Sequence, residues 1–526
     1  MNVALASKPA QAPAHQRFPP FLNYGLFALC AGLYLLPFMR SIFLGTDEGS
    51  LLCGGARIAH GQVFARDFFE VMGPGTLYWL AAFFKIFGVT FLASRICLFV
   101  SLMGTALTLY FLSRRVNSRY QVMPCLILAG PYFGLPTQGI SHHVDSNFFA
   151  LLSVLCLILW HARPRNALLI FAGILAGTVT CVLQPKGVLL FGALLVWLWL
   201  QRRKVPAPLS KMALLAAGYF SFIGLVLAYF WSQGALGSLV YVNFIFPAQH
   251  YSKVNVVAYA QGIERYWTLW VGMGSWLWSL AMAAFLILPL LFVAALPLLL
   301  LLLGLKCKWK SMSPEIVLLW LCGAALWMAE LHRKDIYHLV WGSPLAAILC
   351  FHMLGQYQTR FVDITVQILG ISAVCLAGFN LLAVAISHVN VTPTPVGNVL
   401  THDSDRTLRF LIDHTSPGEN IFVYPYCPTY YFLSGTTNPT PYSLLLYNYN
   451  IPSQFQEAVS ILDRKQVKYV IWDTTQLSRL DYYFPGSLPK STTELIVEPY
   501  LESHYRLVND DHGIRILERN EVAPAN

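Results

Sequence analysis

Charge is scarce in this chain. Only 11% of its 526 residues are Asp, Glu, Lys or Arg, against 56% hydrophobic residues, and the mean hydropathy is +0.56. A soluble domain carries about 25% charged residues, so a water-soluble protein is excluded as a description of the whole. The eleven cysteines show no CxxC and no Cys/His metal spacing. Most lie inside apolar runs, where cysteine behaves as a small hydrophobe. A disulfide framework is not expected, although a Cys53–Cys427 pair stays open, because Cys427 is alone in the polar C-terminal region. P-loop, GxGxxG, HExxH and GxSxG contexts are missing too, which removes nucleotide hydrolysis, dinucleotide binding and the familiar hydrolases. Residues 1–20 are rich in Ala, Pro and Gln and lack the features of a cleavable signal. They read as a disordered cytoplasmic tail.

Long apolar runs are what the chain has in abundance. Eleven are expected to cross a bilayer, near residues 21–44, 92–113, 121–139, 146–161, 166–182, 187–200, 211–231, within 268–304, 314–330, 337–354 and 361–386. Residues 50–60 and 76–87 read as amphipathic or interfacial helices, broken by Gly73-Pro74-Gly75. The fold class is therefore an α-helical polytopic membrane protein, with a core over residues 21–390.

The net charge of +10 comes from short basic clusters between the runs. That distribution fits topology determinants better than a nucleic-acid surface. Arg114/Arg115/Arg119, Arg163/Arg165, Arg202/Arg203/Lys204 and Lys306/Lys308/Lys310 occupy alternate loops. The positive-inside rule puts those loops and the N-terminus in the cytoplasm. Nearly every acid and histidine of the apolar region then falls on the opposite, outer side. From about Thr392 the composition becomes that of a soluble protein, with helical stretches at Ser404–His414 and Ser453–Arg464 alternating with apolar strands at Ile421–Tyr424 and Lys468–Asp473. Residues 391–526 are expected to form a small α/β domain on the outer side.

Acids where a membrane helix meets water point to a functional site by default. The first outer loop, 45–91, holds Asp47 and Glu48, then Arg57, Arg66, Asp67 and Glu70. Asp47 and Glu48 lie about 100° apart on a helix and cannot both address one atom. One can act as base or ion ligand while the other orients a loop, or both can simply end the helix in solvated headgroups. Asp67 can cap a helix and Glu70 can lie on a solvated face. His142, His143 and Asp145 can help hold a divalent ion, and Asp145 can equally cap a helix starting at Ser146. Lys186, at an outward turn, can snorkel to headgroups or pair with a phosphate. Arg333 and Lys334 break the positive-inside pattern beside Asp335 and His338, which suggests an anionic ligand there. The Trp and Tyr of residues 232–266 serve as interface anchors or as sugar-stacking platforms. With no nucleotide site and an outward acid/base centre, a lipid-borne activated substrate follows, its phosphate met by Lys or Arg.

The residues Asp47-Glu48-Gly49, Ala56-Arg57-Ile58-Ala59-His60-Gly61, Asp67-Phe68-Phe69, Gly73-Pro74-Gly75, Tyr78-Trp79, Phe87-Gly88 and Ala93-Ser94-Arg95 resemble the first outer loop of GT-C glycosyltransferases. The bacterial relatives of protein O-mannosyltransferases and the lipid A aminoarabinose transferases are the most similar. The resemblance continues in His142–Asp145, Gln184-Pro185-Lys186-Gly187, Asp335-Ile336-Tyr337-His338 and the stretch Phe422 to Phe432. It implies transfer of a sugar, usually with inversion, from a polyprenyl-phosphate carrier to a lipid, glycan or protein acceptor. It implies a bacterial inner membrane, with the active site and C-terminal domain periplasmic. Asp47, with Glu48 beside it, maps onto the family's first-loop base or acceptor-orienting acid, and Asp145 onto its acid after the third span. The phosphate contacts map onto Lys186, Arg333 or Lys334, and Arg57, Asp67, Asp335 and His338 join the substrate-binding set. Metal dependence varies across the superfamily, so a divalent ion at His142 and His143 stays open. No WWDYG-like motif and no extended luminal insertion is present, which sets aside the oligosaccharyltransferase branch and leaves the acceptor unnamed. The rival reading is a transporter or flippase of lipid-linked sugars, which needs charge within the spans and access from both faces.

Overall fold

A computed structural model describes residues 20–42, 47–117, 119–134, 139–250, 256–258, 312–401, 405–447, 449–475 and 492–520. Its first helices are α1 (Pro20–Leu35), α2 (Glu48–Ala59), α3 (Pro74–Phe87), α4 (Phe91–Val116), α5 (Met123–Leu128, continued by a π turn at Ala129–Phe133), α6 (His142–Ala162), α7 (Asn166–Val182), α8 (Gln184–Leu200) and α9 (Pro208–Ser232). Further apolar helices span Pro314–Met328, Ile336–Trp341, Pro344–Leu354 and Arg360–Ser387. Among the described residues, five helical segments, Leu22–Met39, α4, α6, α9 and Arg360–Ser387, are long and apolar enough to cross a membrane. Together with six shorter apolar segments they make a multi-pass membrane protein. Over the described residues the third expected span is helical only at Met123–Phe133 and the tenth breaks at Gly342 and Ser343, and the others fall mainly on helix except the eighth. That one lies outside the described residues, as do Gly45, Thr46, the Lys306/Lys308/Lys310 cluster, most of loop 232–266 beyond His250 and the N-terminal tail.

Small residues let the helices approach. A Cβ on Gly173 of α7 would fall 2.1 Å from the Leu215 carbonyl oxygen of α9, and one on Gly218 of α9 would fall 2.1 Å from that of Ile170. The two backbones touch directly, as small-residue stripes allow in membrane bundles. The Gly73-Pro74-Gly75 break is likewise a seat. A Cβ on Gly73 would meet the Cys181 carbonyl oxygen at 2.4 Å, so the start of α3 is pressed onto the C-terminal end of α7.

Two local expectations are corrected. The helix after the third span begins at His142, not Ser146, and Ser141 caps it by accepting a bond from the His143 amide (3.2 Å). Asp145 is therefore inside the helix and caps nothing. Glu70 lies on no solvated face, being only 2% exposed.

After Arg360–Ser387, strands β1 (Asn390–Thr392) and β2 (Val399–Thr401) pair antiparallel. Strands β3 (Ile421–Tyr424), β4 (Tyr469–Asp473), β5 (Tyr505–Asp511) and β6 (Ile514–Arg519) form a sheet in the order β3-β4-β6-β5. Only β3 and β4 are parallel. The helix Pro452–Lys465 supplies the crossover that a parallel pair requires. β3 and β4 are buried along their whole length, which explains their unbroken apolar runs. This C-terminal part packs on the segment between α1 and α4. The Phe69 amide donates to the Pro441 carbonyl (2.8 Å), and Gly49 sits so close to Thr429 that a Cβ there would lie 2.4 Å from its nitrogen.

Candidate active site

The first outer loop separates its two leading acids by burial. Asp47 stands at the start of α2, exposed, and its Oδ1 accepts a hydrogen bond from the Tyr426 hydroxyl. Tyr426 is buried and lies just after β3, so the C-terminal part completes this end of the site. Glu48, one residue on, turns inward. It pairs with Arg95 of α4, whose guanidinium also lies over the Phe91 ring, and its Oε1 accepts from the Ile140 amide at 2.8 Å. A Cβ on Gly139 would fall 2.5 Å from the Glu48 carboxylate. Glu48, expected at the chemistry, is instead committed to fixing the segment that leads into α6. The roughly 100° between neighbouring helical residues produces this division.

Glu70 is the buried neighbour of this centre. Burial pushes its carboxyl up to about 7, and the Asp47 charge pushes the same way. Its Oε1 has no hydrogen-bond partner. Arg57 and Asp67, expected at the substrate, hold the loop together. Arg57 donates to the carbonyls of Asn438 (3.1 Å) and Thr440 (2.8 Å) and lies over Phe68. Asp67 accepts from the Val63 amide (2.7 Å) and from Arg66, and these bonds keep its carboxyl below the ordinary range.

A second centre gathers residues from distant parts of the chain. Lys186, in the first turn of α8, is fully buried and pairs with Glu330 Oε1 at 2.5 Å. It also donates to Asn147 Oδ1 (3.1 Å). It therefore reaches neither headgroups nor solvent. His143 Nδ1 faces the same Glu330 oxygen at 3.1 Å, and its ring lies flat against Trp341, 3.9 Å between centroids. Asp335 caps the helix Ile336–Trp341 through the His338 amide (3.1 Å), faces His338 Nδ1 (2.8 Å), and accepts from Arg333 Nε (2.6 Å). These partners hold its carboxyl well below the usual range. Lys334 follows Arg333, its amide bonded to the Val257 carbonyl (3.0 Å). His143, Glu330 and His338 form a group of three metal-competent side chains. His142 stacks beside His143 at 4.1 Å but stands outside that group.

The two centres lie at one end of the helices. Ile140, held by Glu48, is three residues from His143, a backbone reach of about 11 Å at most. Asp145 belongs to neither. It is buried between α3, α4 and α6, accepting from Thr76 (3.0 Å) and Ser101 (2.7 Å), so both its oxygens are used within the helix interface. Two residues escaped the sequence reading. Glu330 closes an apolar run and was counted within it, although a lone acid there is itself a signal. Tyr426 carried no signal beyond its place in the Phe422–Phe432 stretch, because only the fold brings it to Asp47.

No family model and no curated protein matches the chain. Among solved structures, it is similar to ArnT from Cupriavidus metallidurans bound to undecaprenyl phosphate, with a TM-score of 0.55 at 11% identity over 94% of this chain and 97% of that one. The chain has the GT-C fold. Likenesses to two other structures are looser. One is the Saccharomyces cerevisiae protein O-mannosyltransferase Pmt1-Pmt2 complex bound to the sugar donor, with a TM-score of 0.34 at 16% identity over 42% of this chain and 35% of that one. The other is the Mycobacterium smegmatis arabinosyltransferase EmbB, at 0.35 and 14% identity over 74% and 43%. Within the GT-C fold, the loop that carries Asp47 and Glu70 lies between the first span and α4.

Proposed function

We propose that the chain is a glycosyltransferase that moves a sugar from a polyprenyl-phosphate carrier to an acceptor on the outer face of a bacterial inner membrane. The observation that carries this reading is the exposed Asp47 carboxylate, held at the start of α2 by the Tyr426 hydroxyl and backed by the buried Glu70. The shared fold with ArnT, a protein captured with undecaprenyl phosphate, supports the carrier class. In this reading the membrane core is residues 21–390 and residues 391–526 are a periplasmic α/β domain closing over the first loop.

The acceptor hydroxyl attacks the anomeric carbon in line with the bond to phosphate. Asp47 takes the hydroxyl proton, a new C–O bond forms, and polyprenyl phosphate leaves with the electrons of the broken one, inverting the centre. Lys186 is fully buried against Glu330, so the more accessible Arg333, held by Asp335, and Lys334 meet the leaving phosphate. Glu48, Arg57 and Asp67 set the shape of the loop and do not touch the reacting atoms. The transporter reading gains nothing, since the buried charges sit at the outer helix ends. Lys186 opens α8, His143 opens α6 and Glu330 follows Met328.

The test is release of free polyprenyl phosphate from a panel of polyprenyl-phosphate sugars by protein in nanodiscs. Wild type should release it, and Asp47→Asn should do so at least a hundredfold more slowly, about 2.7 kcal/mol of barrier. Equal rates would remove Asp47 from the chemistry. Flipping of the same lipids across vesicles without release would favour transport.

A further inference from the structure

The group His143, Glu330 and His338 is more than a buried ion pair requires. One donor atom from each residue lies within 4.8 Å of the other two, and all three residues are buried. Lys186 and His143 both address Glu330 Oε1, at 2.5 Å and 3.1 Å. The other oxygen, Oε2, is buried with no hydrogen-bond partner. A carboxylate oxygen left bare in a dry interior is costly, and such groups in native proteins are paired or bound to an ion. Lys186 already satisfies one side of this carboxylate. Oε2 remains available to a second cation.

The imidazoles are arranged for the same purpose. His338 Nδ1 lies 2.8 Å from Asp335 Oδ1, and Asp335 is itself held by Arg333 and the His338 amide. A carboxylate on Nδ1 keeps the proton there and leaves the Nε2 lone pair outward, which is how metal-binding histidines are oriented. The Trp341 ring, lying flat on His143, restricts that imidazole to one plane. The three donors come from the start of α6, from the turn after Met328 and from the helix Ile336–Trp341. No sequence spacing announces them, and an ion there would tie three outer helix ends together.

We propose that His143, Glu330 and His338 bind a zinc-class divalent cation, with Glu330 bridging it to Lys186 and Asp335 positioning His338. Two imidazoles and one carboxylate suit zinc and its neighbours, whereas magnesium and calcium prefer oxygen donors alone. The inference shares Asp335 with the phosphate contacts of the proposed function and draws on His338 beside it, and it is read by metal binding alone.

The experiment uses the full chain, purified without a histidine tag, stripped with chelator in nanodiscs and titrated with Co2+. The expected result is one equivalent bound, with the visible absorption of a low-coordinate cobalt site that Zn2+ bleaches. Folded His338→Ala should lose at least a hundredfold in affinity, and Asp335→Asn roughly tenfold to a hundredfold, the range for an orienting partner. Wild-type protein that takes up no Co2+ would overturn the proposal without recourse to a variant. So would a cobalt spectrum unchanged in folded His338→Ala.

Discussion

Asp47 and Glu330 are both acids next to helix ends, yet their surroundings differ. Asp47 is exposed, and the Tyr426 hydroxyl steadies one of its oxygens. Glu330 is 0% exposed and faces a lysine that is also 0% exposed. A carboxylate that water reaches keeps its charge cheaply and can exchange a proton with a substrate. A carboxylate sealed beside an ammonium is fixed by the cost of separating them. One carboxylate is therefore open to solvent while the other holds helices together. Access to water sets the difference, and side-chain chemistry does not.

The comparison breaks most visibly at Lys186. Lys186→Met leaves the Glu330 charge buried and uncompensated, and stability should fall by about 3–5 kcal/mol. Thermal unfolding in nanodiscs measures it, and Lys186→Met with Glu330→Gln together should recover most of the loss. A single variant as stable as wild type would mean the pair is not sealed.

Glu70 sharpens the contrast through pH. Its folded pKa of about 7 lies above the ordinary value of 4.5. Between those values the unfolded chain has released a proton that the folded chain still holds. Stability should therefore fall as pH rises from about 4.5 to about 7, by about 3 kcal/mol. Glu70→Gln should remove that slope, which unfolding midpoints across this range would reveal.

Asp47→Asn should act on rate alone, costing at least about 2.7 kcal/mol of barrier with the unfolding midpoint unchanged. Glu48→Gln should do the reverse, lowering the midpoint because it loosens Arg95 and Ile140, and polyprenyl-phosphate release compared with thermal unfolding separates the two. Tyr426→Phe is the mildest change. Loss of one hydrogen bond to a charged oxygen should slow release about tenfold, about 1.4 kcal/mol, with little effect on folding.

Much of the fold was legible because lipid is an unforgiving solvent. Apolar runs of bilayer length must be helices, so the element order could be read directly. Strands β3 and β4 were plain too, since their runs are mostly apolar and buried, whereas β5 and β6 are largely polar and partly exposed and carried no such signal. The site was legible only in part. Asp47 stood out by its place, and the division between it and Glu48 followed from helical geometry. The roles of Arg57, Asp145 and Lys186 were not legible, because each is decided by a partner distant in the chain. Arg57 meets carbonyls at Asn438 and Thr440, and Asp145 meets Thr76 and Ser101.

The sequence by itself determined which residues are helical, which ends hold the ionisable groups, and that Asp47 is the acid to watch. Each of these depends on local pattern: the period, length and charge of a single run. Tertiary structure alone decided which charges are free and which are spent. Burial and pairing are properties of the neighbours a fold supplies, and the neighbours of Glu48, Lys186 and Glu330 come from helices far away in the chain.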